Sequence, residues 1–167
     1  MVPNQEMYQE TQLIVALNNQ INKLELALIQ ERLEAIQAKQ PYLKYLLSAY
    51  IGRINQEEHF EILKLHLLVW EYFNLKGCEP QKAISKDDFE MVYTRHASMV
   101  KYTDLEEEDV AAKVVMREMD LIQARALLTV IVFFLKVNPI FDKMDSQMSG
   151  IVFIDLKCSI ECMEKVI

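Results

Sequence analysis

The stretch Thr103 to Pro139, TDLEEEDVAAKVVMREMDLIQARALLTVIVFFLKVNP, decides the fold class. It reads as one long helix over about 104–137. Thr103 and Glu106 have the spacing of a capping box, and the acids from Asp104 to Asp109 suit the positive end of a helix dipole. Val110, Val114, Arg117, Leu121, Ala124, Leu128, Ile131 and Leu135 hold the rhythm of one helical face. From Ala126 onward the other faces fill with apolar residues too, so the second half is expected to be enclosed by other helices. Asn138-Pro139 ends the stretch.

Working outward, the flanking segments are helical as well. Gln9 to Ala38 reads as one helix with two apolar stripes, Ile14, Leu17, Ile21, Leu24, Leu28 and then Leu26, Ile29, Leu33, Ile36. Gln40-Pro41 closes it, and a second helix runs from Pro41 to about Ile54, with Tyr42, Tyr45, Leu46, Ala49 and Tyr50 near one side. A third spans about Gln56 to Leu75, with Gly77 as its left-handed cap. After the loop 77–85, Ser85 and Asp88 form a second capping-box pattern, with Ile84 and Phe89 as its hydrophobic staple. The fourth helix then runs to about Lys101. Past Pro139 a short helix to about Gln147 is expected to break at Ser149-Gly150. The segment 151–156 is open between strand and helix, and the tail beyond it is helical. The expected architecture is therefore all-α, a single-domain multi-helix bundle of roughly five to seven helices over 1–167, with 1–8 loose.

Composition excludes several classes. The chain has 167 residues, with 51% hydrophobic and 26% charged residues, a globular balance. The formal charge is −7, and no segment carries a basic excess, so nucleic-acid binding is not expected. The longest apolar run, Leu127 to Leu135, is far short of the ~20 residues that cross a bilayer, so no membrane role is expected. Three cysteines, Cys78, Cys158 and Cys162, do not make a disulfide framework, and no signal-peptide pattern opens the sequence. These features predict a cytoplasmic protein.

The chemistry-bearing residues are few. His66 and His96 fall on the apolar stripes of two helices, where an imidazole can face a ligand or sit satisfied in the core. Glu118 and Arg125 are carried into the apolar part of the long helix, and a buried arginine there needs a carboxylate or an anionic ligand. These four residues are the candidate ligand-binding set. No HExxH, no phosphate loop and no nucleophile elbow is present, so no catalytic residue, metal site or cofactor is assigned and enzymatic activity is not expected. Cys158 and Cys162, one helical turn apart, read as packing residues. The segment DSQMSGIVFIDL has Leu156 where a calcium loop requires its bidentate Glu, which rules against that site.

The function expected from these readings is a non-enzymatic helical interaction or scaffold protein, self-associating as a homodimer or homo-oligomer or binding partner helices through the stripes of the first helix. The alternative is a small-molecule-binding helical domain with an apolar pocket beside the long helix, walled by Arg125, His66 or His96. A further alternative is a helix-turn-helix regulator built on 78–103.

Overall fold

The computed structural model describes residues 5–78, 82–103 and 117–166. They form helices α1 (Gln5–Ile21), α2 (Leu26–Lys39), α3 (Pro41–Ser48), α4 (Gln56–Leu75), α5 (Lys86–Thr103), α6 (Arg125–Val137), α7 (Pro139–Asp142) and α8 (Ser146–Val166). A further helical turn covers 117–120, and no strand occurs among the described residues. The fold is all-α and multi-helical, as the periodicity indicates.

Two helices hold the centre. α4 is largely buried from Ile62 to Phe73, with Lys64 and Glu71 at its partly exposed edge, and packs against α1, α2, α6, α7 and α8. α8 is buried from Val152 to Met163 and packs against α4, α5 and α6. Burying a Leu or Ile side chain contributes ~1.5–3 kcal/mol, and most of these side chains are fully enclosed. Local signals fix the ends of α4. Asn55 accepts the Glu58 N–H and Glu58 reaches back to the Asn55 N–H, a complete capping box. At the other end Gly77 takes φ 68°, and the Cys78 N–H reaches the Phe73 carbonyl at 3.0 Å in a Schellman closure.

Two expected helices are broken. The first splits at 22–25 into α1 and α2. Its two stripes lie on different faces, and one straight helix could not turn both toward α4. After the break, α1 buries Ile14 and Ile21, and α2 buries Ile29, Leu33 and Ile36, each against α4. The Tyr72 hydroxyl and Lys76 both meet Glu10 at 2.6 Å, which pins α1 to the end of α4.

The long helix expected at 104–137 is likewise interrupted, at 121–124. Ile122 and Ala124 turn inward while Leu121 stays 66% exposed. The Ala124 N–H, left without an intrahelical partner, donates to Glu164 of α8 at 2.6 Å. A carboxylate from another helix therefore caps α6. Thr103 ends α5, while Glu106, its expected capping-box partner, and the acidic run lie outside the described residues. The second half is enclosed only in part: Ala126, Leu127, Leu128, Val130 and Ile131 are buried, but Phe133 and Val137 are 57% and 53% exposed.

The tail differs in the opposite sense. Asp145 accepts the N–H groups of Gln147 and Met148 and starts α8, which runs through Gly150 and 151–156 without a break. A methyl group added at Gly150 would meet nothing within 4 Å. Gly150→Ala is thus expected to raise stability by ~0.5–1 kcal/mol, measured by urea unfolding. A loss of stability would show that Gly150 is needed as glycine.

Candidate functional site

The four residues singled out in the sequence do not form one site. His96 and Glu118 come together in a polar cluster between α5 and α8. Lys157 Nζ donates to His96 Nδ1 at 3.2 Å, and His96 Nε2 lies 2.9 Å from a Glu161 oxygen. Arg95 also lies 3.3 Å from His96 Nε2, so the ring has a cation at each nitrogen and the Glu161 carboxylate beside Nε2. Glu118 lies 3.9 Å from both Lys157 Nζ and His96 Nδ1, and Arg95 and Lys165 reach Glu161 from the rim. Burial pulls the Lys157 ammonium below its ordinary range, although Glu118 and Glu161 oppose this. Burial also works to raise Glu161, but the hydrogen bonds from His96 and Lys165 and the charge of Arg95 outweigh it and hold that carboxyl at about 2. The cluster matches its charges internally and anchors the turn 117–120 to the α5–α8 seam.

Arg125 and His66 lie elsewhere. Arg125 is exposed, donates to the Asp120 carbonyl at 2.7 Å and pairs with the Asp120 carboxylate at 3.2 Å. The break at 121–124 removes the shared face expected for Glu118 and Arg125. His66 is sealed in α4, and its Nε2 has no hydrogen-bond partner among the described residues. Burial lowers its pKa to about 3. Cys158 and Cys162 are buried, which pushes both thiols up, Cys162 to about 12. Among the described residues, no three His, Cys, Asp or Glu side chains converge as metal ligands, and no helix is long and apolar enough to cross a membrane.

The feature with the makings of a binding site is a groove of about 350 Å³ between α3, α5 and the start of α8. α3 and its C-cap residue contribute Tyr42, Tyr45, Leu46 and Ala49. α5 contributes Lys86, Phe89, Glu90 and Tyr93 with the same spacing of 3, 4 and 7, so each helix presents one continuous face. Ile151 and Asp155 of α8 and Arg53 complete the lining. Phe89 stacks on Tyr42 at 5.1 Å between centroids, and Tyr93 follows at 6.5 Å, giving a layered aromatic wall. Lys86 sits 6.0 Å over the Tyr45 ring and 3.3 Å from Glu90. Gln40 braces one end of the neighbourhood: it accepts the Ile84 N–H at 2.7 Å and donates to the Lys82 carbonyl at 3.0 Å. The Ser85–Asp88 capping box then starts α5, with the Asp88 N–H donating to Ser85 Oγ at 3.0 Å.

Asp155 is the unusual member. It is 6% exposed and accepts a hydrogen bond from the Tyr50 hydroxyl. Burial pushes its pKa up to about 6, against the Tyr50 hydrogen bond and the more distant charge of Arg53. Tyr50 is pushed well above its ordinary range, first by burial and then by the Asp155 charge, so it stays protonated as the donor. The tyrosine side of α3 and the α5 stripe were visible in the sequence. Asp155 was not singled out there, although it and Lys157 are the charges inside the apolar run IVFIDLKCSI.

The His66 environment makes a direct test possible. The unfolded chain binds a proton near pH 6.5 and the folded chain only near 3, so His66 costs the fold stability as pH falls through that window. His66→Leu also removes an unsatisfied buried nitrogen, a penalty of ~1–3 kcal/mol. The variant is expected to be more stable than the wild type in urea unfolding at neutral pH, by a margin that widens at about pH 5. A margin that does not change with pH would contradict the sealed, neutral imidazole.

Comparison with known proteins gives no match: no family model, no curated protein and no solved structure matches this chain.

Proposed function

We propose that this chain is a non-enzymatic helical binding domain that holds a small molecule in the groove between α3, α5 and α8. The observation that carries this reading is the conjunction of a layered aromatic wall and a buried carboxylate around one open cavity. Ligand sites characteristically combine a mostly apolar lining with a few placed polar groups in volumes of ~300–1,000 Å³. Apolar stripes that invited self-association through the first helix are largely used inside the molecule, since Ile14, Ile21, Ile29, Leu33 and Ile36 are all buried. The regulator reading is weakened by Asp87 and Asp88, which place negative charge in the first turn of α5, where a recognition helix would approach phosphates.

The test is a screen of small aromatic compounds followed by amide chemical shifts. Perturbations are expected to centre on Tyr45, Phe89, Tyr93 and Ile151. Tyr45 is 63% exposed, so Tyr45→Ala should leave the fold intact while weakening binding by about 5- to 10-fold. Shifts scattered over the surface, or an unchanged affinity in Tyr45→Ala, would contradict the groove as the site.

One observation favours a second reading, self-association through α6. Phe133 and Val137 stand exposed on a helix whose sequence, RALLTVIVFFLKV, has two charged residues. Large exposed apolar side chains at this spacing fit a helix-to-helix contact. Sedimentation equilibrium is expected to show a dimer that Phe133→Glu converts to monomer. A wild-type protein that stays monomeric across the accessible concentrations removes this reading.

A further inference from the structure

α8 carries two ionisable side chains into the interior two residues apart, and they are treated differently. Lys157 is met by the His96 ring and by the Glu118 and Glu161 carboxylates. Asp155, equally enclosed, has no cation within ion-pair distance among the described residues. Its described hydrogen-bond donor is the Tyr50 hydroxyl. Arg53 acts on it only at longer range and is itself exposed at the rim. An unpaired buried carboxylate is costly, and that cost is offset when a cation reaches it. The side on which Asp155 can be reached is the groove it lines. The wall there is aromatic, and ring faces attract cations. Lys86, poised over Tyr45, already makes that kind of contact.

We propose that the groove binds the protonated amine of a compound with an aromatic body, Asp155 acting as counter-ion and the ring lying against the wall formed by Tyr42, Phe89 and Tyr93. This rests on the reading of the groove as a ligand site and adds the ligand's chemical class. Anions are disfavoured. Lys86 is engaged by Glu90 and Arg53 is solvated, so the charge that is desolvated, and therefore decides selectivity, is negative.

Three probes of matched shape discriminate: phenethylamine, 2-phenylethanol and 3-phenylpropionate, titrated into the full chain by calorimetry and followed by amide shifts. Phenethylamine is expected to bind in the groove at least about tenfold more tightly than either of the others. Asp155→Asn keeps an acceptor for Tyr50 and is expected to abolish that preference. Should this variant fail to fold, the wild-type ranking at the groove decides instead, with Tyr45→Ala expected to weaken all three probes together and leave their order unchanged. Tighter binding of the alcohol or the acid at the groove would overturn the amine class and leave the site standing. The same holds for phenethylamine binding that Asp155→Asn does not change. If none of the three moves a groove resonance, both the class and the site fall.

Discussion

The packing of α4 against α8 is the constraint on which the rest of the structure depends. Each is largely buried through its middle, so neither can sit at a surface. Once they pair, every other helix becomes part of their cover. α1 and α2 cover α4, α5 covers α8, and α6 touches both. The arrangement also explains where polar groups end up. A largely buried helix of this length carries some ionisable residues with it, here His66 on α4 and Asp155 and Lys157 on α8. Each then has to be neutral, matched or left exposed to a cavity. His66 is neutral, Lys157 is matched by His96, Glu118 and Glu161, and Asp155 faces the groove.

How far the sequence shows this depends on whether the determinant is local. The ends of α4 follow from Asn55, Glu58 and Gly77, all within a turn of the boundary, and the start of α5 follows from Ser85 and Asp88. The breaks at 22–25 and 121–124 contain no proline or glycine. What sustains the second is Glu164, distant in sequence, accepting the Ala124 N–H. Gly150 misleads in the other direction. Its local preference is to end a helix, but the burial of α8 from Val152 to Met163 outweighs a propensity penalty of ~1 kcal/mol. A long continuous helix at 104–137 was therefore the natural reading of periodicity alone, and tertiary contacts decide against it at 121–124.

The candidate site was legible in halves. The tyrosine face of α3 and the aromatic stripe of α5 are periodic and can be read directly. Their meeting across Asp155 depends on how α8 is rotated, which no local pattern fixes. His96 and Glu118 were rightly marked as polar residues in apolar surroundings. Their partners Lys157 and Glu161 make that cluster self-sufficient, whereas Asp155 has Tyr50 and an open groove. A polar residue in an apolar stripe thus signals either a satisfied network or an unfilled site, and only the partners distinguish them.

α8 holds Asp155 as an enclosed carboxylate with no cation at ion-pair distance among the described residues. Carbon-13 NMR of the Asp155 carboxyl across a pH titration of the free protein measures this directly. The resonance is expected to titrate near 6, raised by burial in spite of Tyr50 and Arg53. Titration at or below the ordinary 3.8 would show a carboxyl that is solvated or already paired, and would contradict it.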